Sequence, residues 1–195
     1  MIKRYRWTLL LCSLILGFGQ LNSSAQSIEK LSSKSQLLET SGTAKVGAKM
    51  PFFSGWKMSN STGSAFNLTK TLKQNKRRYV LNICASWCTP CLEGLQKIAE
   101  SKQKFEDANI SVVILVADST QHGQEIFKKF SFTWAHVVVD EFKTFALRLA
   151  PELNKAGKES LSLPKTIIFN REGLVEMIIG QEGDDYIPLL LGQAK

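Results

Sequence analysis

Three features of the chain are scarce, and each scarcity excludes a class of protein. With 195 residues the chain is too short for a large multidomain enzyme, because a domain usually holds about 100–200 residues. The longest apolar run, from about Trp7 to Phe18, covers about a dozen residues, whereas a membrane-spanning helix needs about 20. Four cysteines are too few for a small scaffold held by many disulfides. A large multidomain enzyme, a multi-span membrane protein and a disulfide-dense scaffold are therefore excluded.

The composition is otherwise that of an ordinary folded domain with a basic surface. Hydrophobic residues make up 44% of the chain and charged residues 22%, which is enough apolar material to build a core. The formal net charge of +8 invites a nucleic-acid function. Only Lys76-Arg77-Arg78 are clustered, however, and they precede a predicted strand as a solvated turn would. We therefore expect no nucleic-acid partner.

The first 25 residues have the pattern of a secretory signal peptide. Lys3, Arg4 and Arg6 precede the apolar run, and Ser23-Ser24-Ala25 supplies the small residues that signal peptidase prefers. We predict a signal peptide over 1–25 and export to the periplasm of a bacterial envelope, with a soluble mature chain. An uncleaved segment that anchors the protein is the alternative.

Cleavage after Ala25 changes both the charge and the cysteine count. Without the three basic residues of the leader, 25 basic residues become 22 against 17 acidic ones, a net charge of +5 that suggests solubility more than a basic ligand site. Cleavage also removes Cys12 and leaves Cys84, Cys88 and Cys91. In an oxidising compartment this odd number needs an explanation.

The mature chain divides into a Ser-, Thr- and Lys-rich linker over 26–45 and one domain over 46–195. Compact apolar runs bounded by turn residues predict strands, and apolar residues at spacings of three, four and seven predict helices. The predicted strands are 79–85, 111–117, 136–139, 166–170 and 174–180. The predicted helices are 91–105, 125–130, 142–149 and 184–191. The flanks of 58–66 are predicted to pair as a hairpin, and 154–162 is predicted to be an exposed insertion.

This order of elements predicts an α/β fold. Strands that alternate with helices and end in a hairpin indicate a mixed central sheet with helices on both faces. The predicted hairpin around 58–66 would extend this sheet at the N-terminal side of the domain.

The segment Trp87-Cys88-Thr89-Pro90-Cys91 carries the chemistry. It lies where a buried strand leads into a helix, and Pro90 suits the first turn of that helix. Cys88 would lie at the helix N-terminus, where backbone N–H groups and the helix dipole stabilise a thiolate. Cys91, about one turn further on, could close a disulfide with it and resolve a mixed disulfide formed on Cys88.

Two other uses of this cysteine pair need to be weighed. A zinc site would need Cys84, His122 or His136 as further ligands, and none of them forms a second pair at a recognisable spacing. We therefore expect no metal. A purely structural disulfide is the second alternative, although a helix N-terminus is a reactive place for one.

The segment from Leu81 to Cys91 resembles the active site of thioredoxin-fold proteins, and more narrowly that of TlpA/ResA-type exported thiol-disulfide oxidoreductases. Val46 to Phe53 is similar to the Gly-x-x-x-Pro-x-Phe opening of those domains, and Ser162 to Thr166 to their cis-proline loop. The resemblance covers the chain from about Val46 onward. It implies a thioredoxin-like three-layer fold and a thiol-disulfide oxidoreductase that needs no cofactor.

The resemblance also assigns roles to residues outside the cysteine pair. Pro164 would be a cis-proline packed against the cysteines, and the backbone of Leu163 would pair with substrate polypeptide. Trp87 would shield the disulfide and offer an apolar contact to substrate. From the residues alone, Pro164 can also be an ordinary proline at the start of a strand.

Two positions depart from the family pattern. Asn82 stands where thioredoxin has a buried Asp, and Gly94 where TlpA/ResA-type proteins usually have a Glu. Glu93 lies about 100° away from position 94 on a helix. The proton acceptor that helps Cys91 attack is therefore either displaced to Glu93 or absent.

The remaining candidate residues are assigned to the structure and not to the chemistry. Cys84, on the central strand, is predicted to be a buried small hydrophobe. His122 is predicted to be a solvated turn residue and His136 a strand residue.

The resulting hypothesis is an exported oxidoreductase that reduces protein disulfides and is re-reduced by an upstream electron donor, such as a membrane thiol carrier. Strong oxidants of this fold tend to carry His between the cysteines, and this chain has Thr89-Pro90 there. The alternatives are a redox-inert binding module with a structural disulfide and a peroxiredoxin-type peroxidase. Because the resolving cysteine lies inside the motif, we favour disulfide exchange over the peroxidase.

Overall fold

The structure is a computed structural model that describes residues 44–50, 53–59, 63–75, 77–153, 159–180 and 186–193. The predicted leader over 1–25 and nearly all of the predicted linker over 26–45 lie outside the described residues. These two assignments stay predictions.

Seven of the nine strands in the described residues form one mixed sheet. The strands are β1 (Ser54–Lys57), β2 (Ser64–Asn67), β3 (Arg78–Cys84), β4 (Ile110–Val116), β5 (His136–Val139), β6 (Pro151–Leu153), β7 (Glu159–Leu161), β8 (Lys165–Phe169) and β9 (Val175–Ile179). The large sheet has the order β2-β1-β5-β4-β3-β8-β9, and β6 pairs with β7 separately. β3, β4 and β5 are parallel to one another, whereas the flanking strands are antiparallel to their neighbours.

Helices cover both faces of this sheet. They are α1 (Leu68–Asn75), α2 (Thr89–Glu100), α3 (Lys102–Asp107), α4 (Thr120–Lys129), α5 (Thr144–Leu149) and α6 (Tyr186–Leu191). Apolar side chains of α2, α3, α4 and α6 belong to one hydrophobic cluster. Those of α1 and α5 belong to a second cluster. The predicted three-layer α/β fold of the thioredoxin type, with a mixed sheet and helices on both faces, is confirmed.

The central strand β3 shows how the sequence separates the two clusters. Its side chains alternate between the faces, as in any β-strand. Val80 and Cys84 pack in the cluster that contains α2 and α4, whereas Tyr79, Leu81 and Ile83 pack in the other. Because both faces are covered, the strand is a continuous apolar run interrupted only by Asn82.

The predicted hairpins and strands agree with the structure. β1 ends just before residue 58 and pairs antiparallel with β2, which includes the end of the 58–66 segment, and this confirms the N-terminal hairpin. β8 and β9 form the second predicted hairpin, and Gly173 in its turn adopts a positive φ of 79°. The segment 154–162 is different from the prediction, because Glu159–Leu161 forms β7 and pairs with β6. Residues 154–158 lie outside the described residues.

Three predicted helices have different boundaries. The helix predicted over 91–105 is interrupted at Ser101, which has φ −96° and ψ 13°; Lys102 is exposed, while Phe105 stays buried. The helix predicted from residue 125 begins at Thr120, because Ser119 Oγ accepts a hydrogen bond from the N–H of His122. The helix predicted from residue 142 begins at Thr144.

Candidate active site

The predicted reactive residues lie at one edge of the sheet. β3, β4 and β5 are parallel, so their carboxyl ends meet at this edge. Cys88 follows β3, and Pro164 precedes the antiparallel strand β8, whose Lys165 pairs with Ile83 of β3. Asp118, which the sequence analysis did not single out, follows β4 at the same edge. The carboxyl ends of parallel strands are the usual place for a ligand or reaction site in an open α/β sheet.

Cys88 and Cys91 form a disulfide at the N-terminus of α2. The two sulfurs are 2.00 Å apart and the two Cα atoms 5.2 Å apart. Cys88 is the N-cap residue, and its Sγ accepts a hydrogen bond from the N–H of Cys91 at 3.3 Å. Cys88 is 6% exposed and Cys91 is fully buried. The pair is therefore asymmetric, because Cys88 keeps a small exposure to solvent and Cys91 has none.

The residues that the resemblance assigned to substrate contact adjoin Cys88 in the chain or lie just before β8. The peptide bond between Leu163 and Pro164 is cis, and Pro164 is buried. Leu163 is half-buried and packs against both hydrophobic clusters. Trp87 is 60% exposed, so its ring is available to another molecule. Binding of a substrate by these three residues remains a prediction.

A neutral polar cluster occupies the position of the buried acidic residue of thioredoxin. Asn82 is fully buried, and its Nδ2 donates hydrogen bonds to Thr166 Oγ1 and to Tyr186 Oη, each at 2.9 Å. The two oxygens are 2.8 Å apart. Tyr186 packs in the same hydrophobic cluster as Cys91. The cluster ties β3, β8 and α6 together without providing a carboxylate.

The other departure lies on α2 itself. Gly94 is on the buried face of this helix, together with Cys91, whereas the side chain of Glu93 is exposed. Glu93 therefore points away from the buried sulfur's side of the helix, and its role as proton acceptor remains a prediction. Cys84 is fully buried in the cluster that contains the disulfide, which confirms its predicted burial.

A charged cluster lies beside the cysteine loop and was not foreseen as a unit. Asp118 Oδ2 accepts hydrogen bonds from the N–H of Ser86, at 3.2 Å, and from its hydroxyl. Asp118 Oδ1 accepts from the N–H of Ser119 and contacts Nδ1 of His122, both at 2.8 Å. Ser86 and Asp118 each follow one of two adjacent parallel strands, and this topology is the signal that could have brought them together.

Electrostatics within this cluster favour the ionised carboxylate. Partial burial alone would raise the pKa of Asp118, but the hydrogen bonds from Ser86 and His122 outweigh it and hold this pKa well below its usual range. The hydrogen bond and the charge of Asp118 in turn raise the pKa of His122 above its ordinary value. His122 lies in the first turn of α4, where it is partly exposed and pairs with Asp118.

Residues 45–185 match the sequence model of the family described as redoxin. The chain belongs to the redoxin family. This membership makes it a thiol-disulfide oxidoreductase of thioredoxin-like fold, in agreement with the activity inferred from the sequence. No curated protein sequence is similar enough to this redoxin to count as a relative.

Solved structures with the same fold include enzymes of two kinds. A peroxidoxin, BcpB, from Mycobacterium tuberculosis superimposes with a TM-score of 0.63 at 18% identity, over 77% of this chain and 96% of its own. A secreted disulfide oxidoreductase from Mycobacterium tuberculosis, described as homologous to DsbE of E. coli, has a TM-score of 0.54 at 12% identity, over 73% of this chain and 96% of its own.

A thiol:disulfide interchange protein of the thioredoxin family from Chlorobium tepidum has a TM-score of 0.56 at 16% identity, over 77% of this chain and 97% of its own. These identities are low, so the likeness shows the thioredoxin-like fold alone. The resemblance to thioredoxin-fold thiol-disulfide oxidoreductases is thereby confirmed at the level of fold and family.

Neither a metal site nor a membrane-spanning helix occurs among the described residues. No three His, Cys, Asp or Glu residues among them are grouped so that they could hold a metal ion. Of the helices described in this redoxin, none has the length and apolarity that crossing a membrane requires.

Proposed function

We propose that the protein is an exported oxidoreductase that reduces disulfides in other proteins. Cys88 is the nucleophile and Cys91 the resolving cysteine. The observation that supports these roles most directly is the asymmetry of the pair, because Cys88 is the N-cap of the helix and 6% exposed, whereas Cys91 is fully buried.

The first step uses the reduced protein. The Cys88 thiolate attacks one sulfur of a substrate disulfide, a bond forms between the two proteins, and the other substrate sulfur leaves as a thiolate that takes up a proton. The dipole of α2 favours the thiolate of Cys88, as does the N–H of Cys91, which lies 3.3 Å from Sγ. No acidic residue lies in the first turn of α2 to oppose this effect.

The second step releases the substrate. The sulfur of Cys91 loses its proton and attacks Cys88, so that the Cys88–Cys91 disulfide forms and the second substrate thiol departs. Two electrons have then passed from the protein to the substrate. An upstream dithiol donor, such as a membrane thiol carrier, returns the protein to its reduced form. Because Glu93 is exposed and points away from Cys91, we propose it as the acceptor of the Cys91 proton through water and not by direct contact.

Leu163, Pro164 and Trp87 are proposed to hold the substrate. A half-buried Leu163 next to a buried Pro164 forms a short backbone segment just before β8, which itself pairs with β3 and β9. An extended peptide is proposed to pair with the backbone of Leu163 in this segment. The exposed ring of Trp87 offers this peptide an apolar contact.

The test is a trapping experiment on the full chain. Replacing Cys91 with Ser removes the second step, so the Cys91→Ser variant should accumulate a mixed disulfide on Cys88 when it meets a protein disulfide. Cys88→Ser is the matched control and should trap nothing. If neither variant traps a partner and the wild type does not exchange with a model dithiol, the proposal is wrong.

The reduction potential separates this function from a structural disulfide. A working redox couple should lie between about −270 and −120 mV, whereas a structural disulfide lies below about −300 mV. A peroxidase would instead show rapid oxidation by hydrogen peroxide, at a rate that exceeds exchange with protein disulfides. Slow reaction with peroxide and fast exchange with a disulfide are expected.

Export is proposed from the first 25 residues, and cleavage after Ala25 gives it a measurable consequence. When the full gene is expressed in a bacterium with an outer membrane, the mature protein should be recovered from the periplasm with Gln26 as its first residue. Mass spectrometry would detect this terminus. Intact protein that sediments with the inner membrane would instead support the uncleaved anchor.

A further inference from the structure

The short loop between β3 and α2 delivers Cys88 to the edge of the sheet. It consists of four residues, Ala85 to Cys88, and the N–H of Cys88 donates a hydrogen bond to the carbonyl of Ala85 at 3.1 Å. This bond shapes the loop from within. The loop also carries Trp87, which is exposed. Any contact that holds this loop from outside therefore also affects where the Cys88 sulfur lies.

Asp118 makes such a contact through Ser86. Its Oδ2 accepts two hydrogen bonds from Ser86, one from the backbone N–H at 3.2 Å and one from the hydroxyl. Ser86 stands two residues before Cys88. The hydrogen bonds join positions 32 residues apart in the chain, so they fix the loop relative to the end of β4.

The second oxygen of Asp118 is fixed as well. Oδ1 accepts from the N–H of Ser119 and contacts Nδ1 of His122 at 2.8 Å in each case. With both oxygens engaged, the carboxylate has little freedom to rotate. His122 thus contributes to the orientation of Asp118 from the first turn of α4, although it does not contact Ser86.

This arrangement differs from a hydrolytic Ser-His-Asp triad. In such a triad the imidazole lies between the other two groups and accepts the proton of the serine hydroxyl. Here the carboxylate lies in the middle, Ser86 donates to it, and His122 contacts its other oxygen. The cluster therefore orients its members and does not activate Ser86 as a nucleophile.

We propose that Asp118 is a positioning residue for Cys88, acting through Ser86 and oriented by His122, and that it sets the rate at which Cys88 attacks a substrate disulfide. The inference rests on the proposed function, since it concerns the same reaction. A small displacement of a reacting atom can lower a rate by a large factor. Loss of the contact should therefore slow the exchange without changing the reaction itself.

The charges around the cluster bear on how the test must be designed. Asp118, in the loop after β4, and Glu125, on α4 itself, both face His122. Glu141, in the loop after β5, contacts Thr120 in the same turn of α4. Removing the charge of Asp118 would therefore alter the pKa of the Cys88 thiol as well as its position. The two effects differ in size at high pH, where Cys88 is fully a thiolate. A change in its pKa then acts only through the nucleophilicity of the thiolate, by about threefold for each pKa unit.

The experiment measures the second-order rate constant for reaction of the reduced full-length protein with a small aromatic disulfide between pH 5 and 10. We expect the high-pH plateau to fall about 10-fold in Asp118→Ala, which loses both bonds to Ser86, and about threefold in Ser86→Ala, which loses only the hydroxyl bond. Ser86→Thr, which keeps the hydroxyl, should restore the plateau to within about twofold of wild type. Ser86→Ala also protects the test against misfolding, because it removes only the hydroxyl bond, keeps the backbone N–H donor and leaves Asp118 and His122 in place.

His122 offers a second pair of variants. His122→Ala removes one of the four contacts to Asp118 and should lower the plateau about threefold, whereas His122→Asn can keep a donor near the position of Nδ1 and should resemble wild type. Thr120→Ala is the matched control. It removes a side-chain hydrogen bond to Glu141 from the same turn of α4, but it has no contact to Ser86 and should leave the plateau unchanged.

The outcomes are distinguishable. A plateau that stays within twofold of wild type in Asp118→Ala and Ser86→Ala, or one that falls equally in Thr120→Ala, would overturn the positioning role while leaving the proposed function intact. A rate that changes only below the plateau would also overturn it, because Asp118 would then act on the pKa of Cys88 alone. A wild-type protein that reacts with no disulfide would overturn the proposed function itself.

Discussion

β4 and β5 are adjacent parallel strands, and the regions around them contain the same types of polar residue in different arrangements. Each strand is followed by an aspartate, and each of the two regions contains one of the chain's two histidines. In the β4 region Asp118 and His122 contact each other. In the β5 region His136 begins the strand and Asp140 follows its end, so the two are separated by the strand's length. The same residue types therefore act as a pair in one region and independently in the other.

The two aspartates differ in the reach of their hydrogen bonds. Asp140 is buried, and its carboxylate accepts the N–H groups of Thr144, Phe145 and Ala146, all within six residues. It closes the N-terminus of α5, where backbone N–H groups have no partner within the helix. Asp118 instead reaches Ser86, 32 residues away. One carboxylate thus stabilises its own helix, and the other fixes the reactive loop.

The two histidines differ in the direction of their pKa shifts. The neighbouring carboxylate raises the pKa of His122. Burial, assisted by the charge of Lys57, lowers the pKa of His136 to about 4. The ring of His136 packs against Phe66 at 5.3 Å. Protonation therefore favours the folded protein at one histidine and disfavours it at the other.

The largest expected effect is on Asp140. Replacing it with Ala leaves three backbone N–H groups at a buried helix end without their charged acceptor, so Asp140→Ala should lower the free energy of unfolding by about 2–3 kcal/mol. Urea denaturation of the oxidised protein would measure this loss. The Cys88–Cys91 reduction potential should not change, because Asp140 has no hydrogen bond to the reactive loop.

Asp140→Ser is the matched control for this substitution. A serine hydroxyl can accept one N–H at a helix N-terminus, so part of the stability should return. A reduction potential that shifts in Asp140→Ala but not in Asp140→Ser would mean that α5 affects the disulfide, and the contrast between the two aspartates would fail.

A smaller effect is expected at His136 as a function of pH. Its pKa is about 4 in the folded protein and about 6.5 in the unfolded chain, so the unfolded chain binds the additional proton between these values. The stability that His136 contributes is complete above about pH 6.5 and is lost as the pH falls toward 4. Allowing for partial exposure of the ring, the loss should be about 1–2 kcal/mol.

His136→Phe tests this dependence because phenylalanine does not titrate and can keep the contact with Phe66. Denaturation of both proteins at pH 7 and pH 4.5 gives the comparison. The free energy of unfolding of the variant minus that of the wild type should be larger at pH 4.5 than at pH 7. If the difference is the same at both values, His136 does not carry the shift.

The parts of the fold that could be predicted from the sequence are those whose signal is local. β3 is a continuous apolar run, and the Trp-Cys-Thr-Pro-Cys segment places two cysteines and a proline where a helix begins. The sequence signal for the start of α4 is also local, but a polar capping residue carries it instead of an apolar one. Its first turn, Thr120 to His122, has no apolar side chain, so the apolar periodicity begins too late and the capping hydroxyl of Ser119 is the informative feature.

The polar clusters could not be predicted in the same way, because each depends on which strands are neighbours. Asn82 is identifiable as an unusual residue in an apolar strand, but Thr166 and Tyr186 join it only through the pairing of β3 with β8 and the packing of α6. The contact between Ser86 and Asp118 similarly requires that β3 and β4 lie side by side in parallel. Register and strand order are tertiary information, and a single sequence states them only indirectly.

The smallest expected effect is at His122, and it has the opposite sign. Because its pKa is raised in the folded protein, His122 contributes stability that is complete below about pH 6.5 and is lost as the pH rises through the folded-state pKa. In a His136→Phe background His122 is the only histidine, so His122→Asn in that background isolates its titration. Denaturation of the oxidised proteins at pH 5.5 and 8.5 should show a larger stability deficit of the asparagine variant at the lower pH. Because the ring is in contact with solvent, added salt should shrink this difference, whereas a deficit that is equal at both pH values would mean that Asp118 and His122 do not act as a titrating pair.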